Sequence, residues 1–242
     1  MPEIAVDGER IPYELRRSRR ARRLRIVVTP GRVEVVVPRR VSEGQARAFV
    51  ASKAGWLRRH TEALRAAGPR ALPNRYEDGA ELVLRGRPVR LAVEPAPLRR
   101  TSPVQADLEA GVLHLRVPGS ADPDRREAAA RRAVRRWLDR RLLAEAETVA
   151  LHHRARLGAD PAAIRIREQK TLWGSCGRDG VVRLNRRLAA APAEVFEYVV
   201  VHELCHLVEP GHGPRYWRLV ARLLPGYQTP RAWLKRNGVA LG

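Results

Sequence analysis

Cysteine is nearly absent from this chain of 242 residues, since Cys176 and Cys205 are the only two. Disulfide-stabilised scaffolds carry many cysteines at short spacings, so this class of protein is excluded. We expect both thiols to be reduced, because the chain also lacks the features of a secreted protein.

A long apolar run is also missing. No stretch approaches the roughly 18 apolar residues that a membrane-spanning helix needs. Residues 1–10 contain no apolar segment of the kind found in secretory signals. Hydrophobic residues nonetheless make up 44% of the chain, which is typical of a globular protein. We therefore expect a cytoplasmic protein without a membrane partner.

Lysine and acidic residues are few in comparison with arginine. Lysine and arginine number 47 against 26 acidic residues, and the net charge is +21. A GC-rich genome would favour arginine over lysine but would not explain why the acidic residues are too few to balance the basic ones. An anionic partner, such as nucleic acid or a nucleotide, would explain them, and both explanations stay open. Residues 16–25 hold seven arginines and no aromatic residue, so a nucleic-acid contact there would involve phosphates only.

Two stretches of the chain share one pattern of strands. Each has a strand-like segment and then a glycine, and a proline seven residues after the glycine ends a second strand. The pairs are Gly31 with Pro38 and Gly111 with Pro118. The preceding strand-like segments are residues 24–29 and 91–93. The pattern predicts two hairpins.

A helix is predicted after each hairpin. Ser42 with Gln45 is a capping-box pattern, and Asp122 followed by Pro123 is a typical helix start. The second helix extends to about residue 156, further than one such unit requires.

Tryptophan positions also agree between the two stretches, because Trp56 and Trp137 follow their prolines by 18 and 19 residues. We interpret residues 20–66 and 88–145 as copies of a ββα unit, joined by a linker at 67–79. The alternative is an accidental likeness of two ordinary hairpins.

The C-terminal half reads as helix, strands, helix and helix. Residues 164–166 and 181–184 are strand-like, and residues 174–180 read as a turn. Pro192 begins a helix that continues to about residue 208. Pro210 and Gly211 end it, and Pro214 begins the next.

The segment from Val199 to Leu207 carries a HExxH pattern. His202 and His206 are four residues apart, so a helix places both imidazoles on one face, where they can bind one metal ion. Glu203 can reach a water on that ion without binding the metal itself. The flanking residues are apolar, which indicates a buried and rigid helix. A zinc ion in such a site acidifies water, and Glu203 takes up the proton as general base.

A catalytic zinc site needs a third protein ligand and one open position. His212 is the favoured third ligand, because the break at Pro210 lets the chain turn back across the ion. Glu209 is the competitor, although it lies next to that break. The other histidines, His60, His114, His152 and His153, are interpreted as surface or core residues.

The chain resembles the YgjP-like metallopeptidase family, most specifically over residues 170–217. The matching motifs are residues 170–176 (KTLWGSC), 184–188 (LNRRL), Pro192, 198–207 (YVVVHELCHL), His212 and Trp217. The chain also looks related to the SprT-like proteases, which share the HExxH and the sequence His-Gly-Pro that follows at residues 212–214. Tyr216 departs from the usual Phe, and Cys205 departs from the usual small residue.

The resemblance implies an α+β fold with a zincin-like catalytic domain, in which the HExxH helix packs on a small sheet. It implies His202, His206 and His212 as the Zn²⁺ ligands and Glu203 as the catalytic residue. We assign residues 1–120 to an N-terminal β-rich region that contains the ββα repeat, and residues 121–242 to the metallopeptidase domain. We interpret Cys176, Cys205 and Trp173 as packing residues.

Three classes of function follow from these residues. The first is a zinc metallopeptidase that binds an extended protein or peptide substrate along a sheet edge, with the strand at 181–184 as the candidate edge. The second is a metal-dependent nucleoside triphosphate pyrophosphatase that uses the same site. The third is a basic nucleic-acid-binding protein with a structural zinc, which Glu203 argues against. Arg215 and Tyr216 are candidate donors to the developing oxyanion.

Overall fold

The computed structural model describes residues 2–6, 9–19, 21–29, 32–66, 71–97, 99–169 and 171–241. Two compact units divide the chain, Met1–Gly68 with Gly242 and Pro69–Leu241. Both combine helices with small sheets, which confirms the α+β class. No helix within the described ranges has the length and apolar character needed to cross a membrane.

The first unit is centred on a strand of buried valines. Strand β5 lies between β3, to which it is parallel, and β4, to which it is antiparallel. Val35 and Val37 of β5 pack with Val50 and Leu57 from the helices that follow, and these side chains form the core of the unit. The elements of this unit are β1 (Glu3–Val6), β2 (Glu9–Pro12), β3 (Glu14–Ser18), β4 (Arg25–Thr29), β5 (Arg32–Pro38), α1 (Glu43–Ser52) and α2 (Ala54–Ala66).

The second unit contains two sheets and the remaining helices. Its first sheet has the strand order β6-β7-β9-β8, and its second has the order β10-β12-β11. The strands are β6 (Glu81–Leu84), β7 (Arg87–Ala96), β8 (Gln105–Asp107), β9 (Val112–Pro118), β10 (Ala163–Arg167), β11 (Gly174–Cys176) and β12 (Val181–Asn185). The helices are α3 (Pro123–Leu157), α4 (Ala193–Cys205), α5 (Pro214–Leu223) and α6 (Gln228–Asn237).

One strand of the predicted repeat is wrong. Residues 91–93 belong to β7, which runs parallel to β9 and is therefore not its hairpin partner. The antiparallel neighbour of β9 is β8, whose three residues are all exposed and show no apolar alternation. By topology, β3 corresponds to β7, β4 to β8 and β5 to β9. Duplication of a common unit stays a prediction.

The helix that follows β9 is α3, and its capping was predicted correctly. The Asp122 side chain accepts a hydrogen bond from the Arg125 backbone N–H at 2.9 Å, and Pro123 occupies the first turn. The helix ends at Gly158, whose φ of 74° is readily adopted only by glycine. A row of residues at four-residue spacing, Val134, Leu138 and Leu142 among them, is buried along its length.

The second unit begins at Pro69, and the functional division at residue 120 stays a prediction. Strands β6, β7 and β9 share one apolar core with α3 and α4. The tip of the β6–β7 hairpin is also tied to the segment before α4: the Arg85 N–H donates to the Ala189 carbonyl at 2.8 Å, and its guanidinium donates to the Leu188 carbonyl at 2.7 Å. Shared burial, rather than the change from strand-rich to helix-rich sequence, defines the unit.

Strand β12 is central in the sheet beside α4. It pairs parallel with β10 and antiparallel with β11. Residues 174–180 were predicted to form a turn, but the first three form strand β11 and only the remainder turns. Gly-Ser-Cys carries little strand propensity of its own, so pairing with β12 decides its conformation.

Candidate metal centre

Helix α4 positions the first two histidines. The helix begins after Pro192 and is buried on almost every side, with Val199, Val200, Val201 and Leu204 in the core. His206 follows the last helical residue and keeps helical backbone angles, with φ −69° and ψ −13°. Both imidazoles therefore leave the same face of a rigid helix, as the four-residue spacing predicts.

The chain then turns back and brings the third histidine to the first two. His212 lies in the turn before α5, and its Nε2 is 3.2 Å from the Nε2 of His202 and 3.2 Å from the Nε2 of His206. Zinc bound tetrahedrally to nitrogen at 2.0–2.1 Å would hold its ligand nitrogens about 3.3 Å apart. Two of the three separations match this value and all three ligand atoms lie within 4.8 Å of one another, so the group could hold a metal ion of this kind.

The orientation of His206 is set by a main-chain group. Its Nδ1 lies 3.1 Å from the carbonyl oxygen of Glu209, to which a protonated Nδ1 donates. This tautomer leaves the lone pair of Nε2 free for a metal. Glu209, the competing ligand in the sequence, thus acts here through its backbone, and its carboxylate is not part of the metal-binding group formed by the three histidines.

The orientation of His202 is set by packing. The Tyr216 ring packs edge-on against the His202 ring, with 5.3 Å between the ring centroids. The centroids of the Tyr198 and Trp217 rings lie 5.7 Å and 6.0 Å from that of His202. Tyr216 is fully buried, and its hydroxyl donates to the His202 carbonyl at 2.9 Å. That hydroxyl is occupied, so the suggestion that Tyr216 donates to an oxyanion does not agree with the structure. Arg215 is exposed and lines a separate groove with Arg218 and Arg222.

Glu203 is buried under strand β11, in an arrangement that only glycine at residue 174 permits. A Cβ built on Gly174 would lie 2.6 Å from both Cγ and Oε1 of Glu203. The carboxylate also accepts a hydrogen bond from the backbone N–H of Cys176. The carboxylate is thus fixed between helix α4 and strand β11. Reasoning from sequence missed Gly174, although a glycine at the start of a strand is a signal of close approach.

Burial controls the protonation of these groups. It raises the pKa of Glu203 to about 7, although the Cys176 N–H opposes the shift. It lowers the pKa of His202 to about 3 and lowers that of His206 as well. Both imidazoles are therefore neutral at pH 7 and available as ligands. A divalent cation beside Glu203 would lower the pKa of its carboxyl group again.

Asn185 holds the segment that leads into β11. Its side chain is 2% exposed, and its Nδ2 donates to the carbonyls of Gln169 and Leu172, both at 2.8 Å. Its backbone N–H donates to the Trp173 carbonyl at 2.8 Å. Asn185 therefore fixes the path of the chain immediately before Gly174. From the sequence alone, Asn185 is marked only as part of a family motif.

A wall of aromatic rings continues from the histidines. Trp217 stacks on His212 at 5.8 Å and on Tyr227 at 5.5 Å, and Tyr227 stacks in turn on Tyr198 at 6.4 Å. The guanidinium of Arg231 lies 4.2 Å from the centre of the Trp217 ring. This arrangement places a cation beside the aromatic wall.

The remaining candidates from the sequence lie elsewhere or pack in the core. His114 and His152 are exposed. His153 is buried, and its Nε2 lies 3.6 Å from Oε1 of Glu197. The side chain of His60 lies outside the described residues. Cys205 is fully buried, and burial raises its pKa to about 12, which agrees with a packing role. Burial also raises the pKa of the half-buried Cys176.

The family model of the YgjP-like metallopeptidase domain matches residues 22–237, nearly the whole chain. The chain belongs to this family, and the resemblance drawn from its motifs is confirmed. The match runs through both units and includes every histidine of the metal-binding group.

Other comparisons add little. No curated protein matches the chain significantly. Among solved structures, the chain is similar to the metallopeptidase zymogen of Pyrococcus abyssi abylysin, with 23% sequence identity and a TM-score of 0.34. That similarity covers 38% of this chain and 93% of the abylysin chain. A TM-score this low carries no argument about mechanism.

Proposed function

We propose that this chain is a zinc-dependent metallopeptidase, with His202, His206 and His212 as the zinc ligands and Glu203 as the general base. One observation carries the proposal: the Nε2 of His212 lies 3.2 Å from the Nε2 of both His202 and His206, and Glu203, next to His202 in the chain, is only 5% exposed. Family membership supports a peptidase, and three imidazoles are a donor set that suits catalytic zinc.

Glu203 has the position and environment of a general base. When bound, zinc would acidify a water molecule and polarise the carbonyl of the scissile bond. Glu203 would accept the proton that this water loses and return it to the leaving amine. Because Gly174 and the Cys176 N–H hold the carboxylate in place, Glu203 needs no rearrangement to do this.

The substrate strand is proposed to bind along β11. The sequence favoured residues 181–184 as the sheet edge, but β12 is hydrogen-bonded on both sides and has no free edge. Among the described strands, β11 pairs only with β12, so its other side can pair with an extended peptide. This would place the peptide backbone next to Glu203.

The decisive experiment compares Glu203→Gln with the unchanged protein, both loaded with zinc. Gln is nearly isosteric but cannot take up the proton, so casein hydrolysis should fall by about 10²–10⁴-fold. Zinc content, measured by metal analysis, should stay the same. Hydrolysis that survives in the variant with zinc bound would refute the role of Glu203.

A second substrate separates the two enzymatic alternatives. Nucleoside triphosphates are offered to the same two proteins under the same conditions. Release of pyrophosphate by the unchanged protein, but not by Glu203→Gln, together with no cleavage of casein, would favour the pyrophosphatase over the peptidase.

A further inference from the structure

Helix α3 has two arginine-bearing faces that differ in their ion pairs. On one face each arginine has a carboxylate: Arg131 pairs with Glu127 at 2.8 Å, and Arg135 pairs with Glu168 at 2.9 Å. On the other face, Arg132, Arg136 and Arg140 are exposed and have no ion pair with any described residue. At these positions, the described ion pairs therefore lie on one side of the helix.

The unpaired face forms one wall of a basic groove. The groove has a volume of about 550 Å³, and Arg132 and Arg136 line it together with Arg125 from the first turn of α3. Arg99 and Arg100, from the segment between β7 and β8, line it as well, and they too have no described ion pair. Arg125 is held 3.2 Å from Asp122, so it is partly neutralised.

The other residues of the groove decide what it can bind. Among the described residues they are Thr101, Pro118, Ala121 and Ala129, so the described part of the lining contains no carboxylate and no aromatic ring. Four guanidinium groups without a described ion pair, together with the partly neutralised Arg125, attract an anion. The absence of aromatic rings excludes base stacking among these residues and leaves phosphate contacts.

An extended ligand fits this groove better than a small one. Arg125, Arg132, Arg136 and Arg140 fall on one face of α3, and the 15 helical steps from the first to the last give a rise of about 22 Å. Their side chains are exposed, whereas a site for a single phosphate would enclose its ligand. A phosphodiester backbone presents charges at regular intervals along such a length.

A second basic groove in the same unit is less suitable. Arg215, Arg218 and Arg222 line it, but Glu209 lies among them. Arg222 also donates to the Arg156 carbonyl at 3.1 Å, so one of its three arginines has a partner already.

We propose that the groove lined by Arg99, Arg100, Arg132 and Arg136 binds the phosphodiester backbone of nucleic acid without reading its sequence. This site is separate from the proposed peptidase chemistry. Each arginine that neutralises a phosphate releases a counterion, so affinity must fall steeply with salt.

The test uses the full chain with fluorescein-labelled oligonucleotides, one a dT 20-mer and one a 20-base-pair duplex, measured by anisotropy at several salt concentrations. In Arg132→Gln/Arg136→Gln, two phosphate contacts are lost. The slope of log affinity against log salt should become shallower by about 1.4 for the single strand and about 1.8 for the duplex. Affinity at about 0.1 M salt should fall by about tenfold or more.

The matched control is Arg87→Gln/Arg90→Gln. These two arginines on β7 are exposed and lie outside the groove, and their substitution removes the same amount of charge. The control should keep both the slope and the affinity. Equal losses in the two double variants would show that only net charge matters and would overturn the groove as the site.

Three further measurements keep the proposal falsifiable. Arg99→Gln/Arg100→Gln alters the other wall without touching α3, so it tests the groove even if the helix variant folds poorly. Inorganic phosphate at about 10 mM should not displace the oligonucleotide beyond its ionic-strength effect; full displacement would indicate a small-anion site. Binding of phosphatidylserine vesicles that is lost in the groove variant, with no binding of either oligonucleotide, would assign the surface to membranes and refute the proposal.

Discussion

Strands β3, β4 and β5 of the first unit and strands β7, β8 and β9 of the second share one arrangement. In each trio the last strand lies in the middle, parallel to the first strand and antiparallel to the second. Each last strand ends in proline, and a capped helix follows. The trios differ in that helix: the first is interrupted at Lys53, whereas α3 continues for 35 residues.

That difference shows how one local design can serve two purposes. In the first unit, α1 and α2 only cover their own sheet, with Val50 and Leu57 in its core. In the second unit, α3 extends beyond its sheet and packs against α4, which carries two of the three histidines. The length of one helix therefore connects the strand trio to the metal site. Matched changes in the two units should have unequal effects.

Glycine-to-alanine substitutions are expected to show the largest difference between the two units. Gly174→Ala puts a methyl group 2.6 Å from the Glu203 carboxylate, so the carboxylate must move. Peptidase activity should fall by about 10²-fold or more, because general base catalysis requires that carboxylate in place. Gly44→Ala in α1 is the control, since its nearest neighbour is 3.9 Å away. It should keep full activity and gain up to about 1 kcal/mol of stability. Full activity in Gly174→Ala would contradict the described packing.

Zinc should stabilise only a protein that has its ligands. We expect about one zinc ion per chain in the unchanged protein and nearly none in His206→Ala. Free zinc at 100 times its dissociation constant should raise the free energy of unfolding by about 2.7 kcal/mol, and His206→Ala should not respond. His114→Ala, on the exposed face of β9, is the control and should behave like the unchanged protein. Thermal melts with and without zinc measure this, and a response retained in His206→Ala would remove that histidine from the site.

Arg85 tests how firmly the strand trio of the second unit is joined to the site helix. Its guanidinium pairs with Glu145, lies 4.5 Å from the Phe196 ring centre and donates to the Leu188 carbonyl. Arg85→Ala should cost about 1–3 kcal/mol in urea unfolding, because the partly exposed Glu145 carboxylate and the Leu188 carbonyl lose a charged hydrogen-bond donor. Arg87→Ala, exposed in the same hairpin, should change stability by less than about 0.5 kcal/mol. Equal effects would mean that the hairpin tip is not anchored.

The smallest effects compare the two helix caps. The Ser42 side chain accepts from the Gln45 N–H at 3.2 Å, and Asp122 accepts from the Arg125 N–H at 2.9 Å. Ser42→Ala and Asp122→Ala should each lower stability by about 1 kcal/mol, as measured by chemical unfolding. A loss at one cap alone would show that the trios are not equivalent at the start of the helix.

The features predicted well from sequence are local. The caps at Ser42 and Asp122 depend on residues three positions apart, and both form as expected. The convergence of His202 and His206 depends on helix periodicity alone. Because Pro210 ends the helix, the chain can turn back, and His212 was predicted as the third ligand on that basis. Each of these requires contacts within about ten residues of the chain.

The features that sequence could not predict depend on distant residues. Strand β11 was read as a turn because Gly-Ser-Cys has little strand character until β12 pairs with it. Strand β8 was missed for the same reason, since β9 alone makes it a strand. The core shared by β7, β9 and α3 likewise joins residues that are distant in the chain.

By itself, the sequence determined that one helix would present two imidazoles and a carboxylate, because a spacing of four residues repeats with the helical turn. Only the tertiary structure decided that β11 covers Glu203, that Gly174 lets it approach, and that Arg99 and Arg100 join α3 in one groove. These residues are brought together by sheet pairing and core burial across long loops, and no short window of sequence contains that information.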